Sequence, residues 1–307
     1  MTEHRITTPH GTVAVVDYGG DGPDVLLLHG GGRTLADWEL VRPHLRGRRV
    51  VAADFRWHGF SSDEGDVGLE ANADDAEAII DALGLDNPAI AGHSLGGMVA
   101  AVYGTRHADC PGVANLDGHG MGTPDQYEGI SAEQLQAFRN QIQQLESEEI
   151  PQAMSGDDAW REAFVSQVAT EMGARGIDPS LVDAVAVRSI VRADDGTWNL
   201  RPSTQYFSLL GPMLESLRLF DVYRAVECPL LIYHCTRIEP IQVPGADEVM
   251  SAYANEVMSA YRRGLARDFK ALEAERPNVR VKTLDATHDM IFEMPEEVAR
   301  DILSLTP

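Results

Sequence analysis

The sequence Gly-His-Ser-Leu-Gly, residues 92–96, places a serine between two glycines, where an apolar run gives way to small residues at helical density. It matches the pattern G-x-S-x-G, with a predicted strand before it (residues 88–93) and a predicted helix after it (residues 95–107). Glycine suits both flanks because the turn is sharp and a side chain there would collide with neighbouring backbone. The turn would also leave the Ser94 hydroxyl at a helix N-terminus, which favours developing negative charge. We therefore predict that Ser94 is a nucleophile.

Two further segments contain the residue types that an acyl-transfer reaction requires. His288, in the segment Ala-Thr-His-Asp-Met, follows the last predicted strand and precedes the last predicted helix. A serine hydroxyl needs a base near neutral pH, and histidine can accept the proton and later return it. The segment His-Gly-Gly-Gly, residues 29–32, follows an early strand, so the N–H of Gly31 could stabilise an oxyanion opposite the N–H of Leu95. These residues predict an oxyanion hole and a general base for Ser94.

Strands and helices alternate around these segments. Strands are predicted within residues 3–18 (two, around a turn), 25–32, 49–59, 88–93, 112–120, 229–235 and 279–285, and helices at 35–46, 69–85, 95–107, 247–275 and 295–305. Several of the strands are apolar throughout, as strands buried on both faces are, which indicates an α/β fold with a mostly parallel sheet covered by helices. The hexapeptide Glu-Val-Met-Ser-Ala-Tyr occurs twice, at 248–253 and 256–261, and is interpreted as a duplication that lengthens one helix.

The alternation is interrupted between about residues 118 and 213, where the pattern is mostly helical. We therefore predict one core domain made of residues 1–117 and 214–307, with a helical cap at 118–213 that would cover the substrate. Aromatic and methionine side chains in the insert, Trp160 and Tyr206 among them, suit an apolar pocket. An insert also needs its own core, and that requirement explains most of these side chains.

With its motifs in this order, the sequence resembles the α/β-hydrolase superfamily over nearly its whole length. The segments that carry the resemblance are LLLHGGG at 26–32, DFRWHGFSS at 54–62, GHSLGG at 92–97 and ATHDM at 286–290. The resemblance implies an eight-stranded, mostly parallel sheet with helices on both faces and a helical cap inserted after the sixth strand.

The resemblance also implies an acid that orients His288, and two residues compete for that role. Most members of the superfamily have the acid after the seventh strand, where this sequence has Ile238 at the usual position and Glu239 one residue later. Some branches have it after the sixth strand, and haloalkane dehalogenases and certain resorcylic-lactone hydrolases are similar in this respect. In this sequence Asp117 lies at that position, 23 residues after Ser94. We favour Asp117 and keep Glu239 as the alternative.

Composition argues against several kinds of partner. The formal net charge is −23, so nucleic acids, through their phosphates, and anionic membrane surfaces would be repelled, and we expect neither as a partner. No run of about 18 apolar residues and no apolar N-terminal leader segment is present, which predicts a chain without a membrane span or secretory signal. Three cysteines without C-x-x-C spacing and histidines without metal-ligand spacing predict a cytoplasmic protein with no disulfide framework and no metal. The oligomeric state stays open, a homodimer included.

The sequence thus predicts a cofactor-free serine hydrolase that cleaves a carboxylic ester or lactone of an apolar small molecule. Asp117 as the acid makes a lactonase more attractive, by analogy. The same triad would serve a carbon–carbon bond hydrolase or a perhydrolase. A ligand receptor with a vestigial triad is the alternative from another functional class, and it would bind with negligible turnover.

Overall fold

The computed structural model describes residues 1–148, 154–174, 177, 179–238 and 245–306. The strands in chain order are β1 (Thr2–Thr8), β2 (Gly11–Gly19), β3 (Asp24–Leu28), β4 (Arg49–Ala53), β5 (Ala89–His93), β6 (Val113–Leu116), β7 (Ser155–Gly156), β8 (Ile190–Arg192), β9 (Trp198–Leu200), β10 (Leu230–Cys235) and β11 (Val279–Leu284). The α-helices are α1 (Leu69–Leu83), α2 (Leu95–Arg106), α3 (Ala132–Glu148), α4 (Asp158–Ala174), α5 (Ser180–Arg188), α6 (Thr204–Ser216), α7 (Leu219–Ala225), α8 (Glu248–Glu275), α9 (Met290–Glu293) and α10 (Pro295–Leu303).

Eight strands form one sheet in the order β1-β2-β4-β3-β5-β6-β10-β11. β2 pairs antiparallel with β1 and β4, and the other neighbouring strands pair in parallel. Leu26 and Leu28 of β3 pack in the layer that contains α1, α2, α7 and α8. Val25 and Leu27, which alternate with them along the strand, pack on the opposite face of the sheet in the layer that contains α10. The predicted α/β fold, a mostly parallel eight-stranded sheet with helices on both faces, is confirmed.

The parallel strands bring the chemically interesting segments to one edge of the sheet. Residues 29–32 follow β3, Ser94 follows β5, Asp117 follows β6, and His288 lies four residues after the end of β11. The carboxyl ends of parallel strands lie at the same edge, so loops that are far apart in the sequence meet there. This placement follows from the strand order alone.

The insert between β6 and β10 contains helices α3–α6 and a small antiparallel sheet with the order β7-β9-β8. The sheet was not predicted, because strands of two or three residues are too short to show an alternating pattern. The expected boundary at residue 213 falls inside α6, which ends at Ser216. The following helix, α7, packs against the core through the buried side chains of Leu219 and Tyr223.

One predicted helix is divided in the structure. Residues 35–46 form two short 3₁₀ helices, Leu35–Glu39 and Arg42–His44, rather than one continuous helix. Pro43 lies at the start of the second one and has no N–H to donate to the preceding turn. The break lets Trp38 and Val41 point into the core within a short connection.

Two arginines of the insert bind the loop that follows β4. Arg188 Nε lies 2.7 Å from Oδ2 of Asp54, whose side chain is fully buried. Arg201 donates from Nε to the carbonyl of Trp57 (3.2 Å) and from Nη2 to the carbonyl of Ser61 (2.8 Å). These contacts anchor the insert to the core beside the carboxyl edge of the sheet.

Helix α8 lies unusually close to the chain that follows β6. A Cβ atom on Gly264 would lie 1.8 Å from the carbonyl oxygen of Gln126, so glycine alone permits this approach. Tyr261, one turn earlier, stacks on Tyr127 with ring centroids 4.9 Å apart. Gly264 and Tyr261 therefore fix α8 against the chain that follows β6.

Gly264→Ala tests this close approach. The added methyl group meets backbone that cannot rotate away, so we expect a loss of about 1–3 kcal/mol in the free energy of unfolding, measured by urea denaturation. Gly173→Ala is the matched control, because a Cβ there meets nothing within 4 Å and Gly173 lies in a helix. The control should be neutral or gain up to about 1 kcal/mol. Equal effects of the two substitutions would contradict the packing described here.

Candidate active site

Ser94 stands at the junction of β5 and α2 in a strained backbone conformation. Its φ and ψ are +53° and −116°, a region that residues with a side chain rarely adopt. A Cβ on Gly92 would lie 2.0 Å from the carbonyl carbon of Gly96, and a Cβ on Gly96 would lie 2.3 Å from the carbonyl oxygen of Leu28. The two glycines therefore permit the turn, and the turn presents the partly exposed Ser94 at the N-terminus of α2.

Asp117 and His288 are hydrogen-bonded to each other. Oδ2 of Asp117 lies 2.8 Å from Nδ1 of His288. The side chain of Asp117 is fully buried, whereas that of His288 is 47% exposed. Donation from Nδ1 to the carboxylate leaves Nε2 of His288 free to accept a proton. The structure thus brings together the favoured acid and the predicted base.

Backbone contacts hold Ser94 next to this pair. The amide of Ser94 donates to the carbonyl of Leu116, the residue before Asp117, over 2.9 Å. His93 Nε2 donates to the backbone carbonyl of His288 (2.9 Å), and the two imidazole rings have centroids 4.8 Å apart. The structure therefore places Ser94 next to the hydrogen-bonded pair of Asp117 and His288.

Asp117 receives several further hydrogen bonds. Its Oδ1 accepts from the backbone N–H of Cys235 (2.9 Å) and from Nε2 of His119 (3.2 Å). Arg262 donates to both oxygens, from Nη1 to Oδ1 (3.0 Å) and from Nη2 to Oδ2 (3.3 Å). Burial disfavours the charged form, but the hydrogen bonds from His119 and His288 and the charge of Arg262 outweigh it. The pKa of Asp117 therefore lies well below its usual value.

Arg262 and His119 were not singled out from the sequence. Arg262 directly follows the second copy of the duplicated hexapeptide, within a helix whose pattern only indicated packing. No local signal places a residue of α8 beside the end of β6, because that contact joins residues 145 positions apart. The alternative acid, Glu239, lies outside the described residues.

Gly31 and Leu95 lie side by side, as an oxyanion hole requires. A Cβ on Gly31 would lie 3.9 Å from Cβ of Leu95. Neither of the two N–H groups donates to a backbone carbonyl of the described residues. The next residue, Gly32, donates its N–H to Nε2 of His58 (3.0 Å). Burial lowers the pKa of His58 to about 4, so this ring is neutral at pH 7 and can accept that bond.

A cavity of about 290 Å³ opens beside residue 32, between the insert and the core. Apolar side chains form most of its wall, namely Met154, Phe164, Val168, Met172, Ile177, Val185, Leu200, Phe207 and Phe292. Trp160 and Tyr206 are not among the described residues that line it. Trp160 stacks on Phe164, with ring centroids 5.7 Å apart. Tyr206 is buried and packs edge-on against the ring of His58. The apolar wall comes from other side chains of the insert and from Phe292 of the core.

The described residues contain no group of three or more histidine, cysteine, aspartate or glutamate side chains placed to hold a metal ion. Within the same residues, no helix is both long enough and apolar enough to cross a membrane.

A model of the alpha/beta hydrolase family matches residues 25–301. The chain belongs to the alpha/beta hydrolase family. Among curated relatives, an alignment of 97 positions with protein phosphatase methylesterase 1 of Bos taurus is 35% identical and covers 29% of this chain and 26% of that protein. An alignment of 96 positions with 2-hydroxymuconate semialdehyde hydrolase of Pseudomonas sp. (strain CF600) is 32% identical and covers 29% of this chain and 34% of that protein. The matches thus span about a quarter to a third of these relatives.

Solved structures of other proteins match this alpha/beta hydrolase along its whole length. E-2-(acetamidomethylene)succinate hydrolase has a TM-score of 0.66 and 21% identity, with 99% of this chain and 98% of that chain covered. A thermophilic esterase from Thermogutta terrifontis has a TM-score of 0.59 and 21% identity, with both chains covered completely. At these identities the likeness concerns the fold. The resemblance to the superfamily that the sequence predicted is confirmed, and hydrolases, esterases and a methylesterase are among the similar proteins.

The low pKa of Asp117 predicts a dependence of stability on pH. Asp117→Asn should lower the free energy of unfolding at pH 7 by about 2–4 kcal/mol, because it removes a buried charge that Arg262 and His119 need as a partner. The pKa of Asp117 is lower in the folded chain than in the unfolded chain, where it is about 3.9. The stabilisation is therefore complete above about pH 4 and is lost as the pH falls through the folded-state pKa.

Urea denaturation of wild type and Asp117→Asn between pH 7 and pH 3 measures this effect. The difference between the two proteins should be constant down to about pH 5 and should shrink below pH 4. Asp285→Asn, which changes an exposed carboxylate three residues before His288, is the control and should stay within about 0.5 kcal/mol of wild type. A difference that stays constant down to pH 3 would contradict the lowered pKa.

Proposed function

We propose that this alpha/beta hydrolase is a cofactor-free serine hydrolase that cleaves a carboxylic ester or lactone through an acyl-enzyme. The observation that carries the proposal is the 2.8 Å contact of Asp117 with His288 beside the strained turn at Ser94. A serine at such a turn, a histidine with one free ring nitrogen and a buried carboxylate supply the parts that acyl transfer requires.

In the proposed reaction, Oγ of Ser94 attacks the carbonyl carbon while Nε2 of His288 takes the hydroxyl proton. The N–H groups of Gly31 and Leu95 donate to the oxygen that becomes negatively charged. Asp117 stabilises the imidazolium and keeps Nδ1 protonated. His288 then gives the proton to the leaving alkoxide, and the acyl group remains on Ser94. A water molecule deprotonated by His288 releases the acid and restores the serine hydroxyl.

The wall of the cavity supports an apolar substrate. Phe164, Val168 and Phe207 come from the insert, Phe292 comes from the segment after His288, and the cavity begins at the residue after Gly31. A volume of about 290 Å³ is near the lower end of the range for small-molecule pockets. Arg33, Asp37, Glu171 and Arg201 also line the cavity. We therefore assign an ester or lactone of modest size, with a hydrocarbon portion that lies between the insert and the core.

Hydrolysis of a carbon–carbon bond next to a ketone is the second candidate. The match to 2-hydroxymuconate semialdehyde hydrolase favours it, and the same serine, histidine and acid would perform it. Turnover of simple esters at rates far above the Ser94→Ala variant supports the first candidate. A fluorophosphonate adduct without ester turnover supports the second.

Intact mass after treatment with a fluorophosphonate, together with kcat on a 4-nitrophenyl ester, tests the roles of the residues. Wild type should gain one adduct, Ser94→Ala should gain none, and His288→Ala should react slowly. Ser94→Ala and His288→Ala should lose about 10³-fold or more in kcat. Ser208→Ala, which removes an exposed hydroxyl on α6, is the matched control and should resemble wild type.

The same assay compares the two acids. Asp117→Asn should lose at least about 10²-fold in kcat, and Glu239→Gln should stay within about threefold of wild type. A large loss in Glu239→Gln alone would move the role of the acid to that residue. Well-folded wild type without adduct or turnover would favour the ligand receptor instead.

Val168→Phe tests whether the cavity holds the hydrocarbon portion of the substrate. The larger side chain should fill part of the cavity, so kcat/KM should fall about tenfold for long esters while the shortest ester changes less than about twofold. The assay uses two ester series, one with a growing acyl chain and one with a growing alcohol. Val187→Phe, at an exposed position on α5, is the control. Equal losses for short and long esters would remove the cavity from the substrate site.

A further inference from the structure

Arg262, on α8, binds the carboxylate that faces His288. Its guanidinium binds both oxygens of Asp117, and one of them, Oδ2, is the atom that meets Nδ1 of His288. The side chain of Arg262 is 16% exposed, and Asp117 is fully buried. The cation and the imidazole therefore share one carboxylate in a site that is largely shielded from water.

The rest of α8 holds the guanidinium in this position. The hydroxyl of Tyr261 donates to the carbonyl of His119 (2.8 Å), two residues after Asp117. Gly264 brings the helix against the backbone of Gln126. Because contacts on either side of Arg262 tie α8 to the chain after β6, its guanidinium has little freedom to leave Asp117.

We propose that Arg262 is a positioning residue that fixes both oxygens of Asp117 and sets the charge that His288 meets at that carboxylate. The proposal rests on the proposed function in one respect, namely that His288 acts as the base. An imidazolium is stabilised by a neighbouring carboxylate, and a cation on the same carboxylate opposes that stabilisation. Removal of the guanidinium should therefore favour the protonated form of His288 relative to wild type.

The other titratable groups around the pair have defined charges over the working range. Burial lowers the pKa of His93 well below its usual value and that of His234 to about 4, so both rings are neutral at pH 7. Burial raises the pKa of Cys235, which stays a thiol. Oδ1 of Asp289, the residue after His288, lies 3.7 Å from Nη2 of Arg33, so the negative and positive charges of these two residues compensate each other.

His119, Tyr223 and Tyr261 also lie near Asp117. His119 touches the carboxylate and can be observed separately in the experiment below. Burial raises the pKa of Tyr223 and of Tyr261, so both phenols stay neutral. The guanidinium of Arg262 is thus a permanent cation on Asp117, and its removal should have a distinct electrostatic effect.

The test compares Arg262→Gln, Arg262→Lys and the control Arg263→Gln. Arg263 is the next residue of α8, is 56% exposed, and comes no closer than 4.0 Å to the carboxylate of Glu128, so its loss removes the same charge from the same helix. An NMR titration of the imidazole C–H signals from pH 5 to pH 9 follows His288 and His119, with His288 assigned from a His288→Gln spectrum. The rate of fluorophosphonate modification of Ser94 over the same range reports the base by kinetics.

Arg262→Gln should raise the titration midpoint of His288, and the acid limb of the modification rate, by about one pH unit. Arg262→Lys keeps the charge but not the two-pronged contact, so its midpoint should stay within about 0.3 units while its rate falls. Arg263→Gln should match wild type in both measurements. Unchanged midpoints in Arg262→Gln would overturn the proposal and leave Arg262 as a structural residue only.

The two measurements separate the inference from the proposed function. Failure of wild type to react with the fluorophosphonate would count against the serine hydrolase, yet the NMR midpoints would still test the effect of Arg262 on His288. If Arg262→Gln does not fold, Arg262→Met removes the same charge and keeps a long side chain, and its midpoint should rise by a similar amount; an unchanged midpoint in that variant would overturn the electrostatic role.

Discussion

The carboxylate of Asp117 is fully buried, and the arrangement of the candidate active site follows from the need to compensate its charge. An unpaired carboxylate at that depth would cost several kcal/mol or would take up a proton. Four donors prevent this, namely the backbone N–H of Cys235, His119, Arg262 and His288. They come from β10, the loop after β6, α8 and the loop after β11. One negative charge therefore joins four parts of the chain at the carboxyl edge of the sheet.

The loop after β6, which contains Asp117, also fixes the position of the turn at Ser94. A Cβ on Gly118 would lie 1.9 Å from the carbonyl oxygen of Ser94, so the two loops touch through backbone alone. Asn115, in β6, binds both the N–H and the carbonyl of Gly118, each over 2.7 Å. Asp117 itself has a φ of +59°, a left-handed conformation that aspartate tolerates better than most residues. Strain at Ser94 and Asp117 is held by these short-range contacts and by the packed sheet beneath them.

The insert contributes a different kind of interaction. It is attached by polar contacts at the rim, where Arg188 binds the buried Asp54 and Arg201 binds backbone carbonyls. Its inner surface is mostly apolar where it meets the cavity. The polar contacts thus fix the insert on the core, and the apolar side chains form most of the cavity wall.

The sequence alone was sufficient for the class of fold, for the turn at Ser94 and for the location of His288 after the last strand. These features are local, because a strand, a glycine turn and a helix are specified by residues that are neighbours in the chain. Local patterns did not reveal the small sheet of the insert or the break at Pro43, where elements of two to five residues leave no period to detect. They also left Asp117 and Glu239 as alternatives, since spacing cannot show which carboxyl group meets an imidazole. The tertiary structure brought Asp117 to His288 and placed Arg262 on the same carboxylate. Both contacts join residues more than 140 positions apart, and only the order of the strands and the close approach at Gly264 bring them together.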